Sequence, residues 1–203
     1  MSSPSKLLFL PGASGIAAFW EPLGTRLLHP ASREFVGYPG FGAIPADPDI
    51  KGLDDLATRV VQRIDQPTAL IAQSMGGVIA ILAALKRPQL VTHLVLTVTS
   101  GGLDTRRLGA VDWREDFIKA NPHRPNWFVA SRHDLTARLR HISAPVLLLW
   151  GDADPISPVA VGQKLEQLLP NAQLHVVAGG MHDLAQVHAQ ELAPLVDAHF
   201  ARA

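Results

Sequence analysis

A serine, an aspartate and a histidine, in that chain order, each follow a strongly apolar run. Ser74 sits in Ala72-Gln73-Ser74-Met75-Gly76, Asp154 in Gly151-Asp152-Ala153-Asp154, and His182 in Gly179-Gly180-Met181-His182. A serine hydroxyl is a weak nucleophile and needs a general base beside it, a role histidine can fill. A carboxylate behind the imidazole orients it and stabilises the imidazolium that forms. Together these residue types can perform nucleophilic acyl transfer. Small residues two before and two after Ser74 suit a sharp strand-to-helix turn whose central residue is strained. The plainer alternative is that Ser74 caps the following helix, as serine often does. Asp152 competes with Asp154 as the orienting carboxylate. Asp154 is preferred because it opens an Asp-x-x-x-Pro stretch ending at Pro158, where the next helix should start. Asp183 reads as the start of the last helix, His175 as a strand residue, and His188 and His199 as helix residues.

Acyl transfer also needs two N–H donors aimed at the developing oxyanion. Met75, directly after the serine, supplies one candidate. The loop Gly12-Ala13-Ser14 supplies the other, from Ala13, with Gly12 and Gly15 permitting a tight turn. A Gly-rich loop of this kind can also cradle phosphate. Here it has neither the Walker spacing with its lysine nor a Gly-x-Gly-x-x-Gly pattern, which argues against a nucleotide. Gly12, Ser14, Trp113 and Phe117 are the candidate substrate contacts.

Positioning such groups requires a particular scaffold. Strand-like apolar runs at 6–10, 33–38, 68–72, 91–98, 145–150 and 173–177 alternate with helix-like stretches at 19–28, 53–64, 75–85, 158–169 and 183–200. Alternation of this kind predicts an α/β fold, a parallel sheet with helices on both faces. Ligands of such sheets bind beyond the carboxyl ends of the strands, where the candidate triad and oxyanion residues fall. Residues 100–144 break the pattern. They hold Trp113, Phe117, Trp127 and Phe128 and eight basic residues against five acidic ones, and they read as a helical lid inserted into a single domain, 1–203. The lid aromatics line an acyl pocket or pack the lid onto the sheet. The arginines read as a solvated face, or as a surface for phosphopantetheine or an acidic carrier protein.

Composition excludes several classes. The 203 residues carry 18 basic and 18 acidic side chains, so there is no electrostatic footprint for nucleic acid or an anionic membrane. No cysteine is present, which removes disulfides, thiolate catalysis and Cys-ligated metal sites. No metal or other cofactor is needed by the candidate residues. The clean apolar run at 78–85 is too short to span a membrane. Residues 7–10 read as a buried strand and not a signal peptide, because Pro11 and Gly12 interrupt the apolar stretch. A cytoplasmic location is expected.

The segments LPGASGIAAFW, VGYPGFG, AQSMGG, LLWGDADPISP and GGMHDLA together resemble the α/β-hydrolase superfamily, over essentially the whole chain. The resemblance implies a Ser74–His182–Asp154 triad in that family's chain order, with Ala13 and Met75 as oxyanion donors. It also implies a six-stranded sheet of order 2-1-3-4-5-6 with Ser74 at the switch point and the two N-terminal antiparallel strands absent. Pro11-Gly12 replaces the family's usual His-Gly, and Ala72 replaces the first glycine of the turn. Relatives that dehalogenate or open epoxides carry aspartate at the position of Ser74, and dienelactone hydrolases carry cysteine, so those activities are not expected. The short lid predicts a shallow, partly open pocket. The expected activity is hydrolysis of small carboxylic esters through an acyl-enzyme on Ser74, nearest in character to lid-bearing esterases of acyl methyl esters. The alternatives are a thioesterase for acyl-CoA or acyl-carrier substrates and a non-catalytic binding protein on a hydrolase scaffold.

Overall fold

A computed structural model describes residues 3–125 and 127–202; the side chain of the lid residue Phe128 lies outside the described residues. In chain order its elements are β1 (Lys6–Leu10), α1 (Glu21–Gly24), β2 (Ser32–Phe35), α2 (Leu53–Gln62), β3 (Thr68–Gln73), α3 (Met75–Lys86) and β4 (Val91–Thr97). The inserted helices α4 (Arg114–Ala120) and α5 (Trp127–Ala130) come next. They are followed by β5 (Val146–Gly151), α6 (Val159–Leu168), β6 (Ala172–Val177), α7 (Leu184–Val187) and α8 (Ala189–Phe200). The strands form one parallel sheet in the order β2-β1-β3-β4-β5-β6, as the resemblance implied.

The burial pattern explains the layers. Every residue of β3, β4 and β5 is buried, so both faces of the central sheet are covered. Helix α3 is apolar all round and buries Met75 through Ala84 against the sheet and α2. Helix α2 shows the amphipathic pattern of an outer helix, with Leu53, Leu56, Ala57 and Val60 buried. The edge strands β2 and β6 are half-exposed, as edges facing solvent must be.

Four elements differ from expectation, each for a local reason. The helix expected over 19–28 is a 3-10 turn, Ala17–Trp20, followed by the single turn α1. It stops at Gly24, a poor helix former required there because a Cβ would lie 2.6 Å from the Phe35 ring. The strand expected over 33–38 ends at Phe35, after which Tyr38 N–H bonds Gly15 O (3.2 Å) and Tyr38 Oη–H bonds Pro11 O (3.0 Å), walling the loop after β1. Burial pushes that phenol up. Strand β4 ends one residue early because Val98 has φ +41°. The last helix breaks at His188, so that α7 packs on α1 while α8 also reaches β4. The insertion is helical and irregular, with 3-10 turns at Arg106–Leu108 and Thr136–His141 beside α4 and α5. Among the described residues no helix is long and apolar enough to cross a membrane.

The seam between α8 and β4 is sensitive to acid. His93 is fully buried and His199 nearly so, with their rings 5.2 Å apart. His93 Nε2 faces Arg202 O (3.0 Å) and His199 Nε2 faces Leu94 O (3.1 Å). A nitrogen facing a carbonyl must carry the hydrogen, which leaves each Nδ1 of the neutral rings unprotonated. Burial holds His199 down at about 4, aided by the His93 and Arg202 charges, and burial also lowers His93. The folded state thus binds fewer protons than the unfolded chain. Stability from His199 is complete above pH ~6.5 and is lost as pH falls toward about 4, by on the order of 3 kcal/mol. The unfolding midpoint should therefore fall between pH 7 and 4.5, and fall less in His199→Gln. An equal fall in both proteins would show that acid acts elsewhere.

Candidate active site

Strand order reverses between β1 and β3, and the loops after these two strands flank the crevice this creates. Ser74 lies there with φ +52° and ψ −118°, a backbone conformation that costs a non-glycine residue about 1–3 kcal/mol. The surroundings enforce the turn. A Cβ at Gly76 would lie 2.5 Å from the carbonyl oxygens of Leu10 and Pro11, so α3 can start this close to the loop after β1 only with glycine there. Ser74 N–H donates to Thr97 O at 3.0 Å. The Ser74 side chain makes no helix-capping bond. Its Oγ instead lies 3.0 Å from His182 Nε2.

His182 is carried by the loop after β6, and its Nδ1 lies 2.7 Å from Asp154 Oδ2. The Asp154 side chain is fully buried, whereas that of His182 is 26 % exposed. The other Asp154 oxygen accepts from Ile156 N–H at 2.8 Å. The structure thus brings together Ser74, His182 and Asp154. It places Asp152 elsewhere: Asp152 Oδ1 accepts from Gly179 N–H at 2.6 Å and ties the two loops together. Those loops touch through backbone. Ala153 N–H bonds Gly180 O at 3.1 Å, and a Cβ on Gly151 would lie 2.0 Å from that same oxygen. Asp183 precedes α7 without a side-chain cap bond.

Met75 opens α3 and Ala13 lies across the crevice in the loop after β1. Two lobes meet at Ser74 and His182. One, about 620 Å³, is lined mainly by apolar groups, among them Ala13, Phe19, Phe117, Ile156 and Met181. The other, about 550 Å³, is lined by Arg106, Arg114, Arg132, Asp104, Asp134, Ser157 and others. Trp113 belongs to both lobes. Ser14 and Phe117 line the apolar lobe, and Phe117 meets Trp113 edge-on at 5.7 Å. Both rings also pack on the core. Gly12 lines neither lobe. A Cβ there would meet the Gln73 amide oxygen at 2.1 Å, so the position requires glycine for close packing.

Three residues were missed from sequence. Gln73 is buried and donates from Nε2 to His182 O (3.1 Å), linking the serine turn to the histidine loop. Thr99, two residues past the end of β4, donates its hydroxyl to Ser74 O. Arg124 reads in the sequence like any other lid arginine, yet its Nη1 donates to Ala13 O (2.9 Å) and Ser14 O (2.8 Å). Its guanidinium also lies 5.8 Å from the ring centroids of Phe41 and Phe117. Both carbonyls that Arg124 holds belong to the candidate oxyanion loop. Charge-assisted bonds of this kind contribute about 1.5–3 kcal/mol, so Arg124→Ala should lower kcat/KM by about 10-fold or more. Steady-state kinetics on p-nitrophenyl butyrate would check this, and unchanged kinetics would show that the loop holds itself.

A profile of the alpha/beta hydrolase family matches residues 7–132. The chain belongs to the alpha/beta hydrolase family. It is 27 % identical over 240 residues to a 2-hydroxy-6-oxononadienedioate/2-hydroxy-6-oxononatrienedioate hydrolase of Paraburkholderia phymatum, covering 89 % of this chain and 80 % of that one. It is 25 % identical over 216 residues to a pimeloyl-[acyl-carrier protein] methyl ester esterase of Nitrosomonas europaea, covering 83 % and 84 % of the two chains. The hydrolase fold superposes on an esterase from Exiguobacterium antarcticum with TM-score 0.82 and 18 % identity, over 100 % of this chain and 94 % of that one.

Proposed function

We propose that this alpha/beta hydrolase cleaves carboxylic esters of small acyl substrates through an acyl-enzyme on Ser74. The observation that carries the proposal is the unbroken chain Asp154 Oδ2–His182 Nδ1 (2.7 Å) and His182 Nε2–Ser74 Oγ (3.0 Å). Ser74 Oγ attacks the ester carbonyl carbon while its proton passes to His182 Nε2, and Asp154 stabilises the imidazolium. The carbonyl π electrons move to oxygen, which accepts hydrogen bonds from the Met75 and Ala13 N–H groups. Collapse re-forms the carbonyl and breaks the bond to the alkoxy oxygen, which leaves as an alcohol with the proton from Nε2. A water then attacks the acyl-enzyme, giving its proton to Nε2, and a second collapse releases the carboxylic acid and returns the proton to Ser74.

The apolar lobe takes the acyl chain, with Phe19, Phe117 and Met181 covering it, and the polar lobe takes the leaving group. Similarity to the methyl ester esterase of Nitrosomonas europaea supports the ester reading. A second reading, as a thioesterase for a carrier such as phosphopantetheine, draws on the three arginines that line the lobe assigned to the leaving group, two of them paired with Asp104 and Asp112 of the same lobe. A fluorophosphonate should label Ser74 stoichiometrically, and p-nitrophenyl acetate and butyrate should turn over. A matched butyryl ester and butyryl-CoA then separate the two readings by kcat/KM. Absence of both labelling and turnover would leave a non-catalytic binding protein.

A further inference from the structure

We infer that Thr99 is the positioning residue that aims the Met75 N–H into the crevice; the inference rests on the acyl-transfer mechanism proposed above. A trans peptide group is planar, so the carbonyl oxygen of Ser74 and the N–H of Met75 point in opposite directions from one rigid plane. Whatever clamps that carbonyl also sets the direction of the donor. Ser74 O accepts from Gly77 N–H at 3.0 Å, inside the first turn of α3, and from Thr99 Oγ1 at 2.6 Å. The Thr99 bond comes from the segment leaving β4, so it ties the donor's direction to a fully buried part of the fold outside α3.

The hydroxyl of Thr99 is fully committed. It accepts from Gly101 N–H at 3.1 Å, which directs its single hydrogen at Ser74 O. Thr99 is fully buried, so water does not compete for the bond. A hydrogen bond to a peptide carbonyl also polarises the peptide and strengthens its N–H as a donor. Thr99 lines neither lobe and acts on the reaction only through the peptide it holds.

Two otherwise unexplained features follow from this contact. Val98 is β-branched and has φ +41°, where such residues are outliers. In a continuing strand the carbonyl of residue 97 lies in the sheet and the side chain of residue 99 stands perpendicular to it. The same serine could not then use both. The kink at Val98 lets Thr97 O receive Ser74 N–H while Thr99 Oγ1 reaches Ser74 O. Gly77 is the second feature: a Cβ there would lie 2.4 Å from Thr99 Oγ1, so the first turn of α3 omits a side chain where Thr99 enters.

The test compares Thr99→Val, Thr99→Ala and Thr99→Ser with wild type and Ser74→Ala. It measures p-nitrophenyl butyrate kinetics and inhibition by a trifluoromethyl ketone, whose adduct with a serine places an oxyanion at the donors. Losing a donor outright costs about 10²- to 10³-fold in kcat, so misaiming one should cost Thr99→Val about 10- to 100-fold. Its KM should stay within about two-fold, and its affinity for the ketone should fall in step with kcat. Thr99→Ser keeps the hydroxyl and should restore most of kcat, and Thr99→Ala carries the same test if the valine variant does not fold. Undiminished kcat without the hydroxyl, a loss confined to KM, or a serine variant as poor as valine would each overturn the inference. If wild type is active, Ser74→Ala is dead and Thr99→Val matches wild type, only the role of Thr99 falls. If wild type is inert or Ser74→Ala retains its activity, the acyl-transfer mechanism falls and takes this inference with it.

Discussion

Ser74→Ala is expected to reduce kcat on p-nitrophenyl butyrate by on the order of 10⁴-fold or more, a loss of roughly 5.5 kcal/mol or more in transition-state stabilisation. The expectation follows from the geometry in which His182 Nε2 faces Ser74 Oγ at 3.0 Å. The fold should survive. Alanine keeps the Cβ, so it meets the same backbone strain at φ +52°, and the hydroxyl it removes caps no helix. Unfolding free energy should stay within about 1 kcal/mol of wild type, as for most substitutions away from packing or caps. Ser74→Gly would abolish turnover equally while relieving strain, because glycine accepts positive φ without steric cost. Retention of more than a few per cent of activity in either variant would mean that another group attacks the ester.

The second large effect separates two aspartates two residues apart. Asp154→Asn should cost on the order of 10²- to 10⁴-fold in kcat/KM, because the amide nitrogen facing His182 Nδ1 favours the wrong imidazole tautomer. In that tautomer Nε2 carries a hydrogen and cannot take the serine proton. Burial aggravates the loss, since the Asp154 side chain is inaccessible to the water that would otherwise screen its replacement. Asp152→Asn removes only a charge from an oxygen that accepts Gly179 N–H, and asparagine still accepts there. Its cost should be within about three-fold, the scale of a single weakened hydrogen bond. Comparable losses in both variants would assign the orienting role incorrectly.

Much of the scaffold was readable because its signals are local. Continuous apolar runs such as β5 announce a strand covered on both faces, and Ala72-Gln73-Ser74-Met75-Gly76 announces a sharp turn. Each member of the Asp154–His182–Ser74 chain could be placed because it follows a strand in a parallel sheet. What escaped depends on distant or unusual backbone. Arg124 is held by carbonyls of Ala13 and Ser14, about 110 positions earlier, and nothing in its neighbours distinguishes it from the solvated lid arginines. Thr99 looks like any β-favouring residue until the kink at Val98 turns it toward Ser74. The expected first helix is weakened at Gly24, a poor helix former required there because Phe35 packs where a Cβ would be, and the last breaks at His188.

The backbone contact between Gly151 and Gly180 also bears on how this protein can change over evolutionary time. The loops bearing Asp154 and His182 meet where neither glycine has room for a methyl group, with clearances of 2.0 Å and 2.9 Å. Any other residue at either site would pry the loops apart and so lengthen the bond between acid and base. Selection acting on substrate range can rewrite the lid and both lobes one residue at a time. At these two positions it has no neighbouring sequence to step to, so a lineage that keeps hydrolysis should keep both glycines while the substrate-facing lining drifts.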